Sequence, residues 1–422
     1  MNNIRAQTGW RFYGWWGIVL ATFIIIWTTN GLTVGAITAF DRSLLAMLNV
    51  DRGDLKFGDT IMLLTTAVIT PFTGWIADRY GVRPVMAVGV VALAAAFFGL
   101  SSVETLAGMY WLRFLMGVSL SCAGLAICVV IVSRWFETRR GLAIGLTLAG
   151  TSLGNALFPD LTTLFIERAG WRGAAYYVSI MPLLLLPLIL FALKEWPRKL
   201  GLEPYGVASA APGAGAKPAL APELSYADIL SRPAFWCIGI AAFATFYSIL
   251  AVSLNLFLHT KDLGIDARDA AKYFVPLFIG GLVGKLLSGF LSDWFGRKST
   301  WLIFLGLMLA GALFLLTNNQ QWLFASVACF GLGWGGNYTL LQAITADAFG
   351  TRSLGRVMGA ITVLDASGGA VGPWITGMIY DRNGSYIVAF WVIAALIALA
   401  IVMAMLVPVR SRAPQTLAEA QA

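Results

Sequence analysis

Two ionisable residues lie deep inside apolar stretches of this 422-residue chain. Lys285 stands in Ile279-Gly280-Gly281-Leu282-Val283-Gly284-Lys285-Leu286-Leu287, and Asp365 in Ile361-Thr362-Val363-Leu364-Asp365-Ala366. An unpaired ammonium or carboxylate in an apolar interior costs several kcal/mol or gives up its charge. Such residues persist where they perform a task. Each lies eight residues from the same end of its apolar run, counted from Asp293 and from Val357. At about 1.5 Å per residue both sit roughly 12 Å deep. Opposite charges at one depth predict an ion pair. The chemistry on offer is binding and release of an anion and a proton. A single histidine, His259, and four cysteines (Cys122, Cys128, Cys237 and Cys329) with no C-x-x-C spacing leave no metal cluster or nucleophile–base pair to read. The sequence predicts no enzyme, no catalytic residue, no metal and no cofactor.

The elements that must position these charges are membrane helices. Hydrophobic residues make up 59% of the chain and charged residues 12%, where a soluble domain carries about 25% charged. Mean hydropathy is +0.78. Twelve runs are long enough to cross a bilayer: 14–39, 57–77, 84–101, 107–132, 141–164, 173–193, 234–258, 271–292, 299–317, 321–346, 357–379 and 386–408. The expected fold is an all-α membrane protein of twelve transmembrane helices. With both termini inside, 18 of the 29 Lys and Arg residues fall on cytoplasmic segments and nine on the other side. That bias predicts cytoplasmic termini in an inner, cytoplasmic membrane. The net charge of +8 then reflects inside-positive loops and gives no reason to expect nucleic acid. Residues 194–233 contain the small, Pro/Gly-rich stretch Ala208–Pro218 and read as a flexible linker. Ser225–Leu230 reads as a short surface helix. The linker divides the chain into a bundle over 1–193 and a second over 234–422.

The two halves repeat. Gly74-Trp75-Ile76-Ala77-Asp78-Arg79-Tyr80-Gly81-Val82-Arg83 returns as Gly289-Phe290-Leu291-Ser292-Asp293-Trp294-Phe295-Gly296-Arg297-Lys298, 215 residues on. The same offset sets Lys285 opposite Thr70, and a similar one sets Asp365 near Thr151. The scaffold therefore does without charge at these positions: the charges read as added for a task, with a purely structural ion pair as the alternative. Glycines recur along span 5 (Gly145, Gly150, Gly154), span 8 (Gly280, Gly281, Gly284, Gly289) and span 10 (Gly331, Gly333, Gly335, Gly336). They suit close helix packing or sliding.

The motif G-x-x-x-D-R-x-G-x-R after the second apolar helix resembles the loop motif of the major facilitator superfamily. Phe12-Tyr13-Gly14-Trp15-Trp16-Gly17, the stretch Ser133–Leu146 with its Trp135-Phe136 and Arg139-Arg140, and Gly369-Ala370-Val371-Gly372-Pro373 resemble the branch of monocarboxylate transporters and oxalate/formate antiporters. The resemblance implies two pseudo-symmetric six-helix bundles with the substrate between them near the midplane. It implies a secondary transporter of small organic monocarboxylates working by alternating access with proton symport. The alternatives are an organic-anion exchanger or exporter of the same fold, and a receptor that does not transport. The expected partners are a small organic anion, a proton and the lipid bilayer, with the chain monomeric.

The resemblance also assigns roles. Lys285 occupies the place of a span-8 basic residue that binds substrate carboxylate, and Lys offers a point charge where Arg would offer a fork. The antiporters carry a cation on span 11 where this chain has Asp365, so a monoanion accompanied by a proton fits better than a dianion. The monocarboxylate transporters' span-1 lysine has no counterpart in Gly35-Ala36-Ile37-Thr38. Arg113 resembles the span-4 arginine implicated in coupling; otherwise it snorkels to the outer interface. Asp59, beside Asp54 and Lys56, is interfacial or pairs with a basic partner at an outer gate. Candidate cavity-lining groups are Asn30, Tyr247, Asn255, Asn337, Tyr338 and Gln342. Gly74, Asp78, Arg79, Gly81 and Arg83, with Asp293 and Arg297, form the gating motif. There Asp78 would latch onto the positive N-terminus of span 11.

Overall fold

A computed structural model describes residues 2–136, 140–197, 204–205, 225–349 and 354–408. Within these it leaves out the side chains of 2–13, 71, 78, 140–142, 293 and 354–356. Most of the 194–233 linker lies outside the described residues. Among those described there is no β-sheet, only one isolated bridge between Phe136 and Tyr205.

Twelve helical spans follow in order. Span 1 runs Asn2–Asn30, passes through a π-helical segment Gly31–Ala36 and ends with Ile37–Ala39. A short helix, Asp41–Leu48, follows it. Span 2 is Arg52–Tyr80 and span 3 is Val82–Leu100. Span 4 is Leu106–Ala123 and Leu125–Trp135, broken at Gly124. Spans 5 and 6 share the helical stretch Arg140–Leu183, which reverses at Gly170 (φ +70°). Span 6 continues through Leu185–Pro187 and a π-helical Leu188–Ala192. Spans 7 to 12 are Pro233–Asp262, Phe274–Phe295, Arg297–Leu315, Gln320–Phe349, Leu354–Asn383 and Ile387–Leu406. The expected surface helix forms as Tyr226–Leu230. Ser225 and Asp228 cap it reciprocally, and the bonds from Ser225 hold the exposed Asp228 carboxyl below its ordinary range.

Among the described residues eight helical stretches are long and apolar enough to cross a membrane, and one of them, Ala143–Ala192, holds both spans 5 and 6. Spans 2, 10 and 11 are not among them. They are helices of 29, 30 and 30 residues, and span 11 carries Asp365. The face bearing the chain ends is here the terminal face, the other the distal face.

Packing repeats with the sequence. Span 2 packs on 4, 1 on 5, 3 on 4 and 3 on 6; correspondingly 8 packs on 10, 7 on 11, 9 on 10 and 9 on 12. The halves meet where span 2 packs on 11 and span 5 on 8. Toward the terminal face each half has its own apolar core, one around Ile25, Met86 and Trp135, the other around Ile238, Trp301 and Ile344. Toward the distal face the core of the second half takes in Ala39 and Ala156 of the first. The bundles are joined distally and hold separate cores terminally.

The repeated motif builds the same corner twice. Gly81 (φ +94°) and Gly296 (φ +78°) supply the left-handed residue between spans 2 and 3 and between spans 8 and 9. Arg83 Nε then donates to Leu193 O at the end of span 6 (2.6 Å), and Lys298 Nζ donates to Met405 O and Val407 O at the end of span 12 (2.7 and 2.9 Å). Basic side chains here satisfy carbonyls at helix C-termini. Glu195 accepts from the backbone N–H of Val82 (2.8 Å), which caps the start of span 3.

The glycines separate by what surrounds them. A Cβ on Gly311 would meet Phe330 N at 2.5 Å, one on Gly284 would meet Gly336 N at 3.0 Å, and those on Gly331 and Gly335 would run into the backbone of span 8. Gly145 and Gly289 have nothing within 4 Å. Gly311→Ala and Gly335→Ala are therefore expected to destabilise the protein by about 1–3 kcal/mol, the cost of overpacking, while Gly289→Ala is close to neutral. Thermal unfolding in detergent checks this; equal midpoints for Gly335→Ala and Gly289→Ala would contradict it.

Candidate substrate and coupling site

Lys285 sits ten residues before the end of span 8 at Phe295 and Asp365 eleven residues into span 11 from Leu354. At about 1.5 Å per residue both lie roughly 15 Å from the terminal face. They do not form the expected ion pair. Span 8 packs on spans 5 and 10, whereas span 11 packs on spans 7 and 2, so equal depth does not bring the residues side by side. Lys285 Nζ instead donates to Ser152 Oγ of span 5 (3.3 Å) and lies over the rings of Trp334 and Tyr338, 5.2 and 5.9 Å from their centroids. Cation–π attraction acts at such distances. Among the described residues no carboxylate neutralises Lys285 within 4.0 Å.

The other candidates divide. Tyr338 is half-buried beside Phe246 and Trp334, and Gln342, one turn on, is exposed; both lie on the span that carries the rings around Lys285. Asn30 accepts from Asn155 Nδ2 (3.0 Å), tying span 1 to span 5 beside the π-helical segment. Asn255 donates to Ala251 O and Pro373 O, and Asn337 accepts from Trp301 Nε1 (2.7 Å). These asparagines hold helices together. Tyr247 is buried in the distal core.

Arg113 and Asp59 are neither snorkelling nor interfacial. Both are buried and form an ion pair with each other at 2.6 Å. Lys56, named in the sequence only as a neighbour of Asp59, and Asp41, not singled out there, complete the group: Lys56 pairs with Asp41 and lies 3.3 Å from Asp59, and Arg113 lies 3.7 Å from Asp41. Two cations and two carboxylates from spans 2 and 4 and the start of the Asp41–Leu48 helix thus form a neutral quartet within the first half. Removing any one would strand a buried charge. The spacing of Lys56 and Asp59, one helical turn apart, was the available signal. Asp41 reads as a loop residue until its helix is seen to turn inward.

A second set of polar contacts joins the halves at the distal rim. Arg52 binds Asp262 (2.6 Å) and the Tyr386 hydroxyl (3.0 Å), and its guanidinium lies 3.7 Å from the Tyr380 centroid. Asp381 accepts from the backbone N–H groups of Arg52 and Gly53 (3.0 and 2.6 Å), so span 11 caps the N-terminus of span 2. Arg42 donates to Phe257 O and Ile265 O at the C-terminal end of span 7 (3.0 and 3.2 Å). Arg268 bridges to Glu167 and Asp160, and Thr60 Oγ1 donates to Ala370 O (2.6 Å). Among the described residues no hydrogen bond or ion pair between halves lies nearer the terminal face than Lys285–Ser152. Of the gating motif, Gly74 and Arg79 are exposed and Arg297 pairs with Asp347. The side chains of Asp78 and Asp293 lie outside the described residues.

This arrangement, two repeated bundles around an uncompensated mid-depth cation, has a family. Residues 16–373 and 274–422 match the profile of the Major Facilitator Superfamily. The chain belongs to the Major Facilitator Superfamily. It is a transporter by that membership and a multi-pass membrane protein. Curated relatives include an uncharacterized MFS-type transporter, YcxA, of Bacillus subtilis (strain 168), 24% identical over 92% of this chain and 94% of the relative. Monocarboxylate transporter 11 of Homo sapiens is 25% identical over 91% of this chain and 81% of its own. The oxalate:formate antiporter of Oxalobacter formigenes is 26% identical over 92% and 93%. A crystal structure of a bacterial homologue of the human lysosomal transporter Spinster, described as inward-facing and unoccupied, has the same fold. It matches with a TM-score of 0.69 at 15% identity, over 93% of this chain and 96% of that one.

The distal contacts around Arg52 clamp the two halves together and are expected to resist opening at that face. Arg52→Gln is expected to shift the population toward distal-open states by about 1–2 kcal/mol, a factor of roughly 5–30. A cysteine placed at buried Ala370, with the four native cysteines replaced, should then react faster with a membrane-impermeant thiol reagent from the distal side. An unchanged labelling rate would remove the clamp from the gate.

Proposed function

We propose that this chain carries small organic monocarboxylates across the membrane by alternating access, taking up one proton with each anion. The observation behind this reading is Lys285. It is a mid-depth cation where the halves meet, held by a neutral hydroxyl and two aromatic rings. A carboxylate would supply the missing charge. Similarity to proteins named monocarboxylate transporter and oxalate:formate antiporter supports the substrate class.

Asp365 serves as the proton carrier in this reading. In the empty transporter Lys285 and Asp365 carry opposite charges at one depth. An anion arriving at Lys285 would leave two negative charges and one positive in an apolar surround. One proton on Asp365 restores neutrality. Empty and loaded forms then carry the same net charge, so both can cross between states and symport is electroneutral. The terminal face is the cytoplasmic side of an inner membrane, which makes the distally closed structure inward-facing. Residues 1–193 and 234–422 act as the two moving bodies joined by the 194–233 linker, and the chain works as a monomer. Obligatory exchange of organic anions is the second reading, favoured by the antiporter similarity.

Purified protein in liposomes decides among these. Lys285→Ala should remove one charge-assisted contact, about 1.5–3 kcal/mol, and so weaken binding roughly 10- to 150-fold, with Lys285→Arg partly active. Asp365→Asn should still exchange substrate across the membrane but no longer accumulate it under an imposed pH gradient. Accumulation by Asp365→Asn at the parent's level would exclude Asp365 as the proton carrier. Parental exchange that never responds to a pH gradient would favour the exchanger.

A further inference from the structure

Spans 5 and 8 meet across the two halves, and their facing surfaces are unlike. Span 5 turns its glycines toward span 1. A Cβ on Gly150 would meet Phe23 O at 2.7 Å, and one on Gly154 would meet the Gly31 Cα at 3.0 Å. Ser152 lies two residues from each. At 3.6 residues per turn that is about 200° around the helix, so Ser152 points away from span 1 and toward span 8. Its side chain is buried, 1% exposed, and its hydroxyl accepts the hydrogen bond from Lys285 Nζ. The ammonium has three donors. One goes to Ser152, and the aromatic faces of Trp334 and Tyr338 accept no conventional hydrogen bond. The indole N–H of Trp334 is buried with no hydrogen-bond partner.

We propose that Ser152 is the substrate contact contributed by the first half of the molecule. This rests on the reading of Lys285 as the carboxylate site. In the empty transporter the hydroxyl accepts from Lys285. When a carboxylate binds Lys285 the hydroxyl rotates and donates to the same anion, since a serine oxygen can do either. The anion then replaces a weak protein–protein hydrogen bond with two charge-assisted ones, one to each half. Bound substrate thereby ties span 5 to span 8 at mid-depth, nearer the terminal face than any other polar contact between halves among the described residues. The proposal gives the half without a mid-depth cation a substrate contact of its own. It also accounts for a serine at this position: alanine would offer no donor.

The test uses full-length protein in liposomes. The probe is whichever of acetate, pyruvate, lactate and benzoate the parent exchanges fastest. Ser152→Ala should raise the KM for exchange roughly tenfold, the effect of losing one hydrogen bond to a charged group. Ser152→Thr, which keeps the hydroxyl, should return KM to within about threefold of the parent, a rescue that packing alone would not produce. Unfolding midpoints of all variants verify folding. A parental KM in Ser152→Ala, with binding weakened in Lys285→Ala, overturns the role of Ser152 and leaves Lys285 as the anion site. Parental behaviour of both variants overturns the Lys285 reading itself. Equal loss in the alanine and threonine variants also counts against the hydroxyl.

Discussion

Charge in an apolar surround governs this molecule. An ion taken out of water must find a partner of opposite sign, dense hydrogen bonding, or a task that repays its cost. The first half meets the demand internally. Asp41, Lys56, Asp59 and Arg113 sum to zero and are buried together. The second half does not. Lys285 is left with a hydroxyl and two rings, and Asp365 lies at the same depth without pairing with it. The asymmetry between otherwise repeated bundles leaves a mid-depth cation uncompensated in the second half, and the proposed binding site rests on it.

The contacts between halves follow the same division. At the distal rim, helix ends do the work. Asp381 covers the N–H groups that open span 2, and Arg42 covers the carbonyls that close span 7. Helix termini expose unpaired backbone groups that need partners in any case. A gate built from them can be opened by letting water take the partners' place, without disrupting either bundle. Toward the terminal face the halves hold separate apolar cores. Motion of one bundle against the other would therefore leave those cores intact, while the close backbone approach of spans 8 and 10 at Gly284, Gly331 and Gly335 stiffens the second bundle.

The loop motif shows how one sequence signal can carry several physical duties. Its glycines are needed for left-handed corners, at Gly81 and again at Gly296. Its last basic residue, Arg83 or Lys298, reaches the carbonyl end of a neighbouring span, the sixth or the twelfth. The repeat in sequence is a repeat of these two contacts. They account for its persistence in both halves before any gating role is invoked.

Much was legible in the residues alone. Twelve spans, the 215-residue repeat, the corner glycines, the surface helix at Tyr226–Leu230 and the depth of Lys285 and Asp365 all follow from local properties: hydropathy, helical rise and backbone freedom. What remained hidden depends on how each helix is rotated about its axis and which neighbour it meets. Depth is fixed by counting along one helix, but pairing needs two. That is why Lys285 turns to Ser152 and not to Asp365, why Asn255 and Asn337 tie helices together, and why Asp41 and Lys56 join Arg113 in a closed quartet. The sequence by itself determined where charge enters the membrane. Only the packing of spans 5 and 10 against 8, and of the Asp41–Leu48 helix and span 4 against 2, decided which charges are cancelled and which stay without a partner of opposite sign.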